Sequence, residues 1–151
     1  MLSACGGSSG SSASEQALQR ENDVYEISQL EKTFHESMSQ KDIDEMMSLW
    51  TTNATFTYGP GQTATGKDEI RATWLAAKPF QPTTHWLADH PAYKLQVTVN
   101  GDRGTLHFEC HFIDVNTREV AAITAGDFDV AKIGGRWLIT KMVGSTTELA
   151  I

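Results

Sequence analysis

Residues 93–143 read YKLQVTVNGDRGTLHFECHFIDVNTREVAAITAGDFDVAKIGGRWLITKMV, a run of strand patterns separated by turn residues. Tyr93, Leu95, Val97 and Val99 alternate with polar residues, the period of a half-buried strand. Asn100-Gly101-Asp102 then supplies hairpin-turn chemistry. Leu106, Phe108, Cys110 and Phe112 alternate through a second strand, and Asn116-Thr117 turns the chain again. Val120 to Ala131 reads as a third long strand, Gly134-Gly135 as another hairpin turn, and Trp137, Ile139 and Val143 as the closing strand. The pattern predicts four antiparallel strands in a meander. A kinked lead-in begins at His85–Leu87, and Pro91 and Gly126 are the candidate bulge sites that would curve the sheet.

Upstream the period changes from two to about 3.6. Val24, Ile27, Leu30, Phe34 and Met38 share one face of a helix expected over residues 15–40. Asp42 is a good N-cap for a second helix with Glu45 as its capping-box partner, and Ile43, Met46, Met47 and Trp50 are its apolar stripe. Residues 51–53 read as a turn, 54–58 as a short strand, and Gly59-Pro60-Gly61 as a turn. Gly66-Lys67-Asp68 opens a third helix carrying Ile70, Trp74 and Ala77, which Pro79 and Pro82 end. Helices first and strands last argue an α+β fold with segregated layers, and a bent sheet around an amphipathic helix leaves a cavity between them.

At 151 residues the chain suits one domain, placed at residues 15–151. The net charge of -7, with no Lys/Arg cluster, argues against nucleic-acid binding and a polybasic membrane patch. No apolar run is long enough to span a bilayer. Residues 1–14 (MLSACGGSSGSSAS) read as a disordered Gly/Ser tether. Within it Leu2-Ser3-Ala4-Cys5 resembles a bacterial lipobox, whose cysteine is lipidated. That resemblance implies lipid anchoring through Cys5 at the bacterial cell envelope, on the periplasmic or outer surface. Read as an ordinary Gly/Ser tail, the same stretch leaves the domain cytoplasmic. A disulfide between Cys5 and Cys110 is not expected; Cys110 reads as a small buried hydrophobe.

Three segments together resemble the SnoaL-like branch of the nuclear transport factor two-like superfamily. Asp42–Trp50 followed by Asn53-Ala54-Thr55-Phe56 is similar to the family's second helix running into its first strand. Thr84-His85 and Val99–Gly104 are similar to its third-strand histidine and following hairpin. Ala125-Gly126-Asp127-Phe128 with Gly135-Arg136-Trp137-Leu138-Ile139 is similar to its closing strand pair. The resemblance implies a cystatin-like cone: three N-terminal helices packed on a strongly curved, mainly antiparallel sheet around an apolar pocket. It also implies a homodimer, with no cofactor required. Members include ketosteroid isomerases, scytalone-type dehydratases, dehydrochlorinases and polyketide cyclases, so the fold selects no chemistry.

Against the isomerase pattern, Phe34 and Tyr58 stand where that family has its tyrosine and its carboxylate base, and Gly126, next to Asp127, where it has a protonated aspartate. Against the dehydratase pattern, His85 matches the catalytic histidine and Tyr58 a tyrosine that helps hold a carbonyl or water. Ser39 stands where the orienting aspartate belongs, leaving Glu36, Asp42 or Glu109 as substitutes.

His85 as general base, with Tyr58 donating to a substrate oxygen, is therefore one candidate site. Its bland counterpart is a histidine bonded to backbone. Phe34, Met38, Trp50, Trp74 and Phe128 are the candidate pocket wall for a small apolar or aromatic ligand. His107, Glu109 and His111 share one strand face and resemble a zinc or iron ligand set. The opposite face reads as core, and a strand rise of ~3.4 Å per residue separates the three too widely, so no metal is expected. Three functions follow: a ligand-binding domain, a lyase or isomerase using His85 and Tyr58, or a structural dimerisation module with a closed core. The losses at Phe34 and Ser39 favour the first.

Overall fold

The computed structural model describes residues 10, 12–89 and 91–150; Cys5 and the lipobox-like segment lie outside them. The first helix, α1, spans Ala13–Gln40 and so begins before residue 15. Ser12 caps it: its hydroxyl accepts from the Glu15 amide at 3.3 Å, and the Glu15 carboxylate accepts from the Ser12 amide at 2.8 Å. Ile27, Leu30, Phe34 and Met38 are buried along it as the periodicity requires. Lys41 ends it in the left-handed region (φ 58°), and the Asp42 amide closes back on the Ser37 carbonyl. Asp42 then caps α2 (Ile43–Ser48) through the Glu45 amide at 2.9 Å.

The sheet has seven strands. They are β1 (Trp50–Gly59), β2 (Gln62–Thr65), β3 (Trp86–Ala88), β4 (Lys94–Asn100), β5 (Arg103–Asp114), β6 (Val120–Ile133) and β7 (Arg136–Glu148). Helix α3 (Lys67–Ala76) and a 3-10 turn (Lys78–Phe80) separate β2 from β3. The order is β2-β1-β7-β6-β5-β3, with β4 pairing β5 as well. All pairings are antiparallel except β1 with β7. The result is the expected α+β architecture, helices packed on a curved sheet.

Several local expectations are corrected. Residues 51–53 lie within β1 rather than in a turn, because Trp50 already pairs with Ile139 of β7. The polar segment Gln62–Thr65 is an unexpected edge strand. The lead-in from His85 is two short strands, both bonded to β5. Within β5 to β7 the register slips fall at Phe112/Ile113 and Asp129/Val130, not at Gly126. Gly126 lies in regular register opposite Phe108, where a Cβ would come 2.5 Å from the Phe108 ring. Its missing side chain therefore makes room for an aromatic rather than a bulge.

The core sits between α1 and the inner sheet face. Phe34 meets Phe128 edge-on at 5.0 Å and Trp74 at 5.4 Å, and Phe108 packs 5.4 Å from Phe128. In the first half of α1, buried Asp23 ties the helix to the last hairpin. It accepts from Lys132 Nζ at 2.8 Å, the Trp137 indole at 3.2 Å and Gln19 at 3.2 Å. Burial works to raise the Asp23 pKa, but these bonds and the Lys132 charge outweigh it and hold the carboxyl below its ordinary value. A depressed folded-state pKa stabilises above the unfolded value, and the contribution is lost as pH falls through the folded one. Asp23→Ala should therefore cost about 3 kcal/mol in urea unfolding at neutral pH, with the deficit shrinking in acid as the native protein loses the same bonds.

Candidate functional site

The long apolar stripe of α1, the inward residues of α3 and the inner faces of β1, β5, β6 and β7 do not close on one another completely. They leave a cavity of about 630 Å³. Phe34 and Met38 of α1, Phe56 of β1, Trp74 of α3 and Phe112 of β5 form its apolar wall. Phe56 and Trp74 stack at 4.8 Å with an 8° tilt, so one side of the wall is flat and aromatic. Hydroxyls from Tyr58, Thr73, Thr124, Ser145 and Thr146 interrupt the apolar surface. Gly144 lies in the wall between Met142 and Ser145, where a side chain would otherwise intrude. At the mouth Lys78 pairs with Glu148, and the Lys78 ammonium lies 5.0 Å from the Trp86 ring centroid. The mouth loop is pinned from behind: Lys41 Nζ donates to the carbonyls of Pro79 at 2.8 Å and Thr84 at 2.7 Å. Burial pushes the Lys41 ammonium below its ordinary pKa.

Four residues expected at the wall or as a hydrogen-bond donor line this cavity: Phe34, Met38, Trp74 and Tyr58. Trp50 and Phe128 do not. Both are almost fully buried in packing behind it, Trp50 against Phe56 and Phe128 against Phe34 and Phe108. His85 is also outside. Strand alternation turns Thr84 and Trp86 inward and leaves His85 exposed between them. Its backbone carbonyl accepts from the Val115 amide at 2.9 Å, and its ring has no hydrogen-bond or ion-pair partner among the described residues. None of the substitute carboxylates reaches it: Glu36 pairs with Lys32, Asp42 caps α2, and Glu109 meets Lys94 and His107. Ser39 instead holds α1 to β3, donating to the His35 carbonyl at 3.0 Å and accepting from the Ala88 amide at 2.9 Å.

The trio on β5 does lie on the outer sheet face. His107 bonds Asp127 at 2.8 Å and approaches Glu109 at 3.4 Å. His111 bonds Asp89 at 3.0 Å and stacks on Tyr93 at 4.4 Å. The histidines are thus engaged with different carboxylates, and among the described residues no group of three such side chains is arranged around a metal position. Asp89 also accepts from the His111 amide at 2.9 Å and from the Cys110 thiol, which fastens β3 to β5. Burial opposes the Asp89 charge, but these three donors outweigh it and lower its pKa. The same burial, helped by the Asp89 carboxylate, pushes the Cys110 thiol far up, so it remains a protonated donor and not a nucleophile.

One buried polar pair escaped the sequence reading. His35, fully buried, lies with Nδ1 2.6 Å from Glu31 Oε1 and 3.2 Å from the Glu31 carbonyl. Its ring packs edge-on against Phe34 at 5.2 Å and Phe108 at 4.7 Å, so it stands behind the cavity wall rather than in it. The signal was present in the sequence: Glu31 and His35 fall on the stripe that also carries Ile27, Phe34 and Met38.

Comparison with known proteins agrees with this fold. A family model described as SnoaL-like domain matches residues 19–143. The chain belongs to the SnoaL-like domain family. Solved structures that resemble this SnoaL-like domain include an NTF2-like protein with a cystatin-like fold from Novosphingobium aromaticivorans. That match has 16% identity and a TM-score of 0.73, covering 92% of this chain and 91% of the other. A scytalone dehydratase candidate from the same organism aligns at 17% identity and a TM-score of 0.68, covering 89% and 93%. A ketosteroid isomerase-like protein from Erwinia carotovora atroseptica aligns at 16% identity and a TM-score of 0.67, covering 84% and 98%. At these identities the likeness establishes the fold alone. No functionally curated protein matches the sequence.

Proposed function

We propose that this SnoaL-like domain binds a small apolar or aromatic molecule in the cavity between α1, α3 and the sheet. The observation that carries the reading is the cavity itself. Its volume of about 630 Å³ sits within the ~300–1,000 Å³ range of small-molecule sites. Its wall is aromatic, with a handful of hydroxyls that could orient a ligand. A purely structural module would fill that space with its own side chains, as cores are close-packed.

The lyase reading loses its base, because His85 points to solvent and the buried His35–Glu31 pair lies behind the wall. Elimination or isomerisation needs a proton acceptor within hydrogen-bond reach of the substrate. The titratable groups on the described wall are Tyr58, Lys78 and Glu148, the latter two engaged with each other at the mouth. Binding therefore fits these residues better than catalysis does.

The test is a titration with 2-naphthol, followed by amide and indole NMR signals. Saturable binding at one site is expected, with the largest shifts at Trp74, Phe112 and Thr124. Absence of saturation, or shifts confined to the outer face around His107 and Tyr93, would contradict the reading.

A further inference from the structure

The wall carries two charged side chains among the described residues, and both stand at the mouth: Lys78 from the 3-10 turn and Glu148 from the end of β7. They form an ion pair across 70 positions of sequence. Both side chains are about half exposed (50% and 53%), so the pair is weak and open to exchange. The two partners are not held equally. Lys78 lies over the Trp86 ring, and the turn it belongs to is anchored by buried Pro79 and Phe80 and by the Lys41 bond to the Pro79 carbonyl. The Glu148 backbone is held opposite Ala122, with the Leu149 amide bonded to the Ala121 carbonyl, but its half-exposed carboxylate packs on no ring among the described residues, so a rotamer change of that side chain opens the pair.

We infer that Lys78 is an anion-recognising residue and that Glu148 occupies it as an internal stand-in for the ligand's own carboxylate. The ligand class is an apolar acid: an aromatic or alicyclic body in the cavity, with a carboxylate at the mouth. The inference rests on the binding role proposed above and deepens it. Exchange of one carboxylate for another at Lys78 is close to neutral electrostatically, so affinity comes from burying the apolar body against Phe34, Phe56, Trp74 and Phe112. Lys78 then sets which end of the ligand faces out. Glu148 keeps the cation paired while the site is empty and competes with any acid that enters.

The competition gives the test. Full-length wild-type protein, Glu148→Gln and Lys78→Met are titrated by calorimetry with 2-naphthoic acid, 2-naphthamide and 2-naphthylmethylamine. Removing the competitor should tighten 2-naphthoic acid about threefold to fivefold in Glu148→Gln while 2-naphthamide stays within about twofold. Lys78→Met should bring the acid down to the level of the amide or below. The inference is overturned if Glu148→Gln leaves the acid unchanged or weakens it, or if the amine binds tightest in wild type. Equal binding of all three probes in every variant sinks the charge recognition alone. Binding of none of them sinks it together with the binding role.

Discussion

Glu31→Leu should be among the most damaging single substitutions in this protein, costing about 3–5 kcal/mol in denaturant unfolding. Glu31 is 2% exposed and its partner His35 is fully buried. The imidazole packs edge-on against the Phe34 and Phe108 rings. Taking away the carboxylate removes the oxygen that Nδ1 faces at 2.6 Å and leaves the Glu31 carbonyl, at 3.2 Å, as the longer of its two contacts, so part of the desolvation already incurred is no longer offset. Glu31→Gln keeps an oxygen in the same place and should recover at least half of the loss. Equal damage from both substitutions would mean that side-chain charge, rather than the acceptor, is what the core requires. Negligible damage from Glu31→Leu would show that the pair contributes nothing to stability.

Phe34→Ala should be comparably severe, at about 3–5 kcal/mol, with the melting temperature falling by roughly 10 °C. Phe34 is 1% exposed and touches His35, Trp74, Phe108 and Phe128. Those neighbours come from α1, α3, β5 and β6, so no single shift can close the space left by the ring. The substitution should also enlarge the ligand cavity, because the same ring forms part of its wall. A ligand that fills the new volume should restore part of the melting temperature, since binding to the native state alone stabilises by mass action. A melting temperature unchanged within a degree or two would contradict the placement of Phe34 at the junction of layers.

The extent to which this structure could be read from sequence follows from the range of each interaction. The α1 stripe, the Asp42 cap and the three hairpins of β4 to β7 depend on neighbours within a few positions, and all of these form. The parallel pairing of β1 with β7 depends on residues far apart in the chain, such as Phe56 and Met142, and no local pattern announces it. That pairing draws residues 51–53 into a strand despite their turn-like composition. The candidate site divides along the same line. Phe34, Met38, Trp74 and Tyr58 reach the cavity because their elements were correctly phased. His85 fails because a single step in strand phase exchanges inside for outside, and its neighbour Trp86 takes the inner position. Lys78 and Glu148 could not be paired beforehand, since only the closed fold brings the 3-10 turn against the end of β7.

If the cavity between α1, α3 and the sheet receives a small molecule, filling it from within should block binding. Thr73 lies on the wall, is half-buried, and contributes only a helix-internal hydroxyl bond to the Glu69 carbonyl. Thr73→Trp should place an indole in the cavity with little change in melting temperature. Binding of 2-naphthol, measured by calorimetry, should weaken at least about tenfold in the folded variant relative to wild type. Undiminished binding by Thr73→Trp would contradict cavity binding and would put the ligand somewhere else on the domain.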